Sequence, residues 1–151
     1  MNTDNLPASV VKEIEQVTKV ASYLWQREWI ERNGGNISIN LTQFFEEDYI
    51  PELVNFTEQK LPKEVGGLFL FVTGAGCYIR SLIDDIENAS CIVYINKEAT
   101  GYSIIWGGKQ DCFRPTSEMA SHFKSKTILP FSTLKFSKIL VEFSKIIFKG
   151  P

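Results

Sequence analysis

Apolar residues along the first thirty positions recur at helical spacing. Val10, Ile14, Val17, Ala21 and Leu24 stand 4, 3, 4 and 3 apart, which places them on one stripe of a helix. Pro7 and Ser9 are start signals, and Asn33-Gly34-Gly35 is a stop signal. A helix over about 8–32 is predicted. The period then changes to two: Ile37, Ile39 and Leu41 alternate with Ser38 and Asn40, the pattern of a half-buried strand. Residues 43–66 are acidic and carry Pro51 and Pro62, as expected of a surface excursion with a helical turn. Leu68 to Thr73 is a continuous apolar run closed by Gly74-Ala75-Gly76, which predicts a buried strand. Residues 78–90 are ambiguous, with a turn or short helix near Asp84-Asp85. Cys91–Ile95 and Tyr102–Trp106 predict two strands joined as a hairpin through 96–101. Thr116 or Ser117 can cap a helix over about 117–126, with Glu118 in its first turn where the dipole favours an anion. After Pro130, Phe136, Ile139, Leu140, Phe143, Ile146 and Ile147 again fit a helical period. The sum is a mixed α and β chain with antiparallel pairing.

Composition narrows the class. The 151 residues fit one domain, and 44% hydrophobic with 23% charged is a globular balance. No run approaches the roughly 18 apolar residues of a membrane span. A net charge of −2 argues against a nucleic-acid binder. Cys77, Cys91 and Cys112 are odd in number and form no C-x-x-C pair, so reduced thiols in a cytoplasmic protein are expected. The ordinary role of each is a small buried hydrophobe. The start of the chain lacks the basic and apolar regions of a secretory leader.

Charge divides the chain near residue 125. Residues 125–151 hold five lysines and one acid, a net +4, which leaves −6 for residues 1–124. Within this basic tail Phe136-Ser137-Lys138-Ile139 recurs as Phe143-Ser144-Lys145-Ile146. Two regions are therefore distinguished: 1–124 and a divergent basic, amphipathic 125–151.

Three turns could hold an anion. Asn33-Gly34-Gly35-Asn36 offers glycine backbone and amide donors, though a helix C-cap and tight turn use the same residues. Thr73-Gly74-Ala75-Gly76 follows a buried strand, where glycine-rich loops cradle phosphates. It is not a P-loop, because Cys77-Tyr78 follows it, and a plain turn fits it equally. Pro115-Thr116-Ser117-Glu118 sets two hydroxyls and a carboxylate at a helix start; an N-cap with a dipole-compensating acid explains it too. Three such turns in one small domain suggest a phosphate-bearing ligand.

In this order, Glu31-Arg32-Asn33-Gly34-Gly35-Asn36, Val72-Thr73-Gly74-Ala75-Gly76, Gly101 to Gly107 and Pro115-Thr116-Ser117-Glu118 resemble the class II aldolase/adducin family. The resemblance covers about residues 8–124. It implies an α/β fold of three α/β/α layers with a mostly antiparallel central sheet, here incomplete. It implies reversible retro-aldol cleavage of a phosphorylated ketose, L-rhamnulose 1-phosphate, to dihydroxyacetone phosphate and L-lactaldehyde. It also implies a phosphate held by Asn33, Gly35, Asn36, Ala75, Gly76, Thr116 and Ser117, with Glu118 as catalytic acid/base. Family members use zinc and form homo-oligomers, commonly tetramers.

The chain departs from the family at the metal. The family's His-x-His pair downstream of Thr-Ser-Glu and its later third histidine have no counterpart here. His122, on the predicted helix after Glu118, is the single histidine, and a packing or hydrogen-bonding role is expected for it. Catalytic zinc takes three protein ligands, so no zinc site and impaired cleavage are expected. A non-catalytic sugar-phosphate-binding or adducin-like interaction module is the alternative. For the tail three origins are open: an out-of-frame product of a truncated gene, which is favoured; a rearranged amphipathic segment; or a membrane-surface helix, the least favoured.

Overall fold

The computed structural model describes residues 2–27, 36–109, 113–115 and 141–142. Helix α1 spans Ala8–Gln26 and buries Val10, Ile14, Val17, Ala21 and Leu24, the predicted stripe, with Val20 and Glu13 beside it. Pro7 precedes it with φ −56°, as a first-turn proline requires. The expected extension to residue 32 falls mostly outside the described residues.

Strand β1 is Asn36–Asn40, β2 Thr57–Glu58, β3 Phe69–Thr73, β4 Ser90–Ile95, β5 Gly101–Gly107 and β6 Val141–Glu142. They form one sheet in the order β2-β5-β4-β3-β1-β6, and every pairing is antiparallel. Strand β3 is central and wholly buried, which is why its sequence is an unbroken apolar run. Alternation divides its side chains between two cores. Phe69 and Phe71 join Ile37, Ile39, Ile92 and Tyr94 against α1. Leu70 and Val72 join Cys91, Val93 and Ile95 on the other face, against Leu61, Val65 and Phe113. Between β3 and β4 lie two one-turn helices, α2 at Ser81–Asp84 and α3 at Ile86–Ala89. Asp85 divides them with an extended φ of −153°. All three described helices pack on one face of the sheet, and the expected helix over 117–126 lies outside the described residues.

The excursion over 43–66 contains single helical turns at Thr42–Phe44 and Lys63–Val65 and, beyond expectation, β2. Phe45 stacks on Phe69 at 3.9 Å between ring centroids, and Tyr49 flanks both rings. These aromatic contacts pin a loop that is otherwise acidic.

One expectation is corrected. The helical period after Pro130 predicts a helix through 141–142, but Val141 and Glu142 form β6, paired with Ile37 and Asn36. Apolar spacing over a few residues does not separate helix from strand. The outer edge of β1 offers unpaired backbone groups that a strand satisfies and a helix does not.

A bulge between Ile92 and Val93 shifts the β4–β5 register. It sets Trp106 opposite Ile92 on the helical face. There the Trp106 indole donates to the Asn2 carbonyl at 2.7 Å. The Asn2 N–H donates in turn to Glu87 at 3.1 Å, and Lys109 pairs with Glu87 at 2.8 Å. Lys109 thereby holds the Glu87 carboxyl below its ordinary range. These contacts strap the start of the chain to the β5 end of the sheet. Among the described residues no helix is long and apolar enough to cross a membrane.

Ser103 is 1% exposed, and its hydroxyl has no hydrogen-bond partner among the described residues. Ser103→Ala should therefore be neutral or stabilising by up to about 1 kcal/mol, since an unsatisfied buried hydroxyl is removed. Phe71→Ala should cost about 3–5 kcal/mol through the cavity it leaves. Urea unfolding of the two variants checks both.

Candidate functional site

The site assembles where three chain segments meet at one end of the sheet. The first is the start of β1, at Asn36. The second is the exit of β3 into Gly74-Ala75-Gly76. The third is Phe113-Arg114-Pro115.

Specific bonds hold the three together. The Ile37 N–H donates to the Thr73 hydroxyl at 3.1 Å, joining β1 to the end of β3. Gly74 forms an antiparallel bridge with Pro115. The Ala75 N–H donates to the Arg114 carbonyl at 2.8 Å. The Gly74 N–H donates to the Ala89 carbonyl at 2.8 Å, and the Cys77 N–H closes the turn onto Gly74 at 3.2 Å.

Glycines make this junction possible. A Cβ on Gly74 would lie 2.6 Å from the Phe113 ring and 2.7 Å from the Cys77 sulfur. A Cβ on Gly108 would lie 2.7 Å from the same ring. Phe113 therefore fills a slot that both residues leave open. Gly76 differs: its φ is +72° and no atom lies within 4 Å of its absent Cβ, so it is glycine for its backbone and not for space.

These bonds sort the expected phosphate ligands. Ala75 and Gly76 are both exposed at the turn. The Ala75 amide is already engaged by Arg114, and alanine brings no side-chain donor. The Gly76 N–H has no partner among the described residues. Of the pair, only Gly76 presents a free backbone donor. Asn36 is placed at the edge of the junction through its backbone pairing with Glu142. Asn33, Gly35, Thr116, Ser117, Glu118 and His122 lie outside the described residues. Sequence reasoning missed Thr73 as the tie to β1, Arg114 as the acceptor for Ala75, and Phe113 as the plug between two glycines. Gly107-Gly108 was the one available signal for Phe113, because consecutive glycines often mark a close approach.

Two described thiols adjoin the junction. Burial raises the pKa of the half-buried Cys77, against a lowering contact from the Gly74 backbone. Burial drives Cys91 much further up, with Cys77 adding to the shift. Both stay protonated at neutral pH, and a protonated thiol is a poor nucleophile.

Comparisons with known proteins bear on this geometry. No family model matches the chain. The chain is 37% identical over 125 residues to a rhamnulose-1-phosphate aldolase from Bacteroides thetaiotaomicron, covering 79% of this chain and 44% of that protein. It is 31% identical over 119 residues to a rhamnulose-1-phosphate aldolase from Pectobacterium atrosepticum, covering 76% and 43%. In structure it is similar to a sugar-phosphate aldolase from Thermotoga maritima, with a TM-score of 0.60 and 26% identity, over 77% of this chain and 46% of that one. Over the matched stretch the chain is homologous to these rhamnulose-1-phosphate aldolases and shares the class II aldolase fold. It spans less than half the length of the curated relatives it matches.

Class II aldolases imply a zinc ion, and the described residues gather no ligand set for one. Among the described residues no group of three His, Cys, Asp or Glu is close enough to hold a metal. The sequence has one histidine, His122, which with Cys112 and Glu118 lies outside the described residues. A catalytic zinc takes three protein ligands, deprotonated where they are thiols.

Two outcomes follow for the junction. Gly74→Ala should lower stability by about 1–3 kcal/mol, because the added carbon overpacks the Phe113 slot; thermal or urea unfolding measures it. In the folded protein at pH 7, iodoacetamide should label Cys77 more slowly than free cysteine and leave Cys91 intact. Both raised pKa values keep the reactive thiolate scarce until the pH passes above the ordinary thiol range. Peptide mapping by mass spectrometry after timed labelling reads each site separately.

Proposed function

We propose that this chain carries the phosphate-binding part of an aldolase acting on L-rhamnulose 1-phosphate, and that by itself it cleaves little or no substrate. The observation that supports it is the Gly74–Pro115 bridge with its Ala75–Arg114 hydrogen bond. It holds the turn that carries the Gly76 N–H, which has no partner among the described residues, against the residue that precedes Thr116-Ser117. A phosphate has several oxygens to satisfy, and donors converging from separate loops suit it. Glu118 follows Pro115 by three residues, so the covalent chain keeps it within roughly 11 Å of the bridge. That is close enough to serve a bound sugar phosphate as proton donor and acceptor, given the local chain path.

The rest of the proposal concerns what the chain lacks for chemistry. One histidine does not make the three-ligand zinc site of a class II aldolase. Binding without cleavage is the consequence, in a reducing, cytoplasmic setting that suits the free thiols. The same reading covers a non-catalytic sugar-phosphate-binding module, because the described junction is built from backbone bonds, the Thr73 hydroxyl and apolar packing.

Dihydroxyacetone phosphate, titrated to millimolar levels, should shift the Gly76 amide in a proton–nitrogen NMR spectrum. Dihydroxyacetone phosphate release from L-rhamnulose 1-phosphate with added zinc should stay more than about a hundredfold below that of a complete relative. Several kcal/mol of metal assistance are missing, and that amount converts to such a factor. Clear turnover by these 151 residues would overturn the inactivity; an unmoved Gly76 amide would overturn the binding.

A further inference from the structure

The strand pairing at the junction decides where one charged side chain stands. Gly74 bridges Pro115 antiparallel, and the Ala75 N–H donates to the Arg114 carbonyl at 2.8 Å. Ala75 and Arg114 are therefore opposite one another, one step past the bridge. Side chains alternate along each segment, and opposite residues share a side. Gly74, Phe113 and Pro115 occupy one side, and Ala75 and Arg114 the other. Burial follows the same division. Gly74 and Pro115 are buried and Phe113 is half-buried against Gly74, while Ala75 and Arg114 are exposed.

Among the described residues of the junction (36–37, 73–77 and 113–115) Arg114 alone carries a charge. Its guanidinium makes no ion pair and lies over no ring among the described residues. The fold does not need the side chain, because the bond to Ala75 uses the Arg114 carbonyl, which any residue supplies. Next to Ala75, Gly76 is exposed, and its N–H has no partner among the described residues. Opposite residues of a hydrogen-bonded pair have Cα atoms about 5.5 Å apart, and an arginine stem spans that distance to the neighbouring residue. An uncommitted guanidinium and an uncommitted N–H thus stand within reach of one small anion.

We infer that Arg114 is a binding residue that sets specificity: its guanidinium and the Gly76 N–H together hold the phosphate of a phosphate monoester, and its charge separates a phosphorylated ligand from an unphosphorylated one. The inference rests on the phosphate-binding reading above and names the side chain that supplies the charge. A guanidinium meets two phosphate oxygens with two parallel N–H donors. It stays protonated at every working pH, so the attraction follows the ligand's own ionisation. A phosphate monoester takes its second negative charge at about pH 6, so the hold tightens as pH rises through that value.

The test titrates the full chain with dihydroxyacetone phosphate, follows the Gly76 amide by NMR and repeats the titration at raised sodium chloride. Parent affinity should fall with salt, which screens an exposed charge. Arg114→Gln should weaken binding about tenfold, the scale of a hydrogen bond to a charged group, and should lose most of the salt response. Arg114→Lys keeps the charge without the planar fork and should fall between the two. Unphosphorylated dihydroxyacetone should leave the Gly76 amide unmoved. Melting temperatures should match the parent's in both variants, because the side chain is exposed. Parental affinity in Arg114→Gln overturns the inference. So does weaker binding that keeps the parental salt response, because the lost interaction was then not the charge. Should the glutamine variant lose its dispersed spectrum, Arg114→Lys and the parent decide: a salt-independent parent overturns the inference. A parent that shows no shift at all ends the phosphate-binding reading and takes the inference with it, a result that needs no variant.

Discussion

The structure depends on one strand being buried on both faces. Phe69–Thr73 pairs antiparallel with β1 on one side and β4 on the other, and none of its residues reaches solvent. Its backbone polar groups are satisfied by those ladders, which permits an unbroken apolar sequence at the centre of a small domain. Phe69 and Phe71 recruit α1, while Leu70 and Val72 recruit the loop carrying Leu61 and Val65. Removing apolar side chains from water on both faces is the main stabilising term available to a chain of this size. It also fixes the register, since a slip of one residue would exchange the two cores.

That strand determines where the site lies. Its last residue, Thr73, uses its hydroxyl to accept from Ile37, and the next residue, Gly74, bridges to Pro115. The turn that follows is thus held by a rigid element on one side and by backbone bonds on the other. A binding turn built this way needs little ordering when a ligand arrives. The plug of Phe113 between Gly74 and Gly108 serves the same end, because it fills the space beneath the turn.

How much of this could be read from the residues alone varied with the range of the interaction. The α1 stripe, the β3 run and the β4–β5 hairpin were legible because each is encoded by local periodicity or by a single apolar run. The Ile92/Val93 bulge was not, because it carries no local signal, and the Trp106–Asn2 contact that accompanies it spans 104 residues. β6 was not, because a pair of residues joins a sheet by what lies opposite, and Val141-Glu142 carries no turn or alternation of its own. At the site, the glycine-rich turn was legible as a motif. Which of its amides is free was not, because that depends on Arg114, some forty residues away in sequence, whose carbonyl takes the Ala75 N–H.

Binding and chemistry also separate along the same line. The described junction at Gly74 and Pro115 is made from backbone bonds, the Thr73 hydroxyl, glycine geometry and one aromatic plug, all supplied by segments packed on the central sheet. A class II aldolase's metal needs side chains of a particular kind, and among the described residues no three of them stand together. Backbone sites tolerate much sequence change so long as the fold persists, because every residue but proline carries an N–H. Side-chain ligand sets do not, because each lost imidazole removes a ligand outright. On the proposed reading this chain keeps the fold and part of the substrate grip of its relatives without the reaction, because the junction at Gly74 and Pro115 depends on the fold and not on a metal.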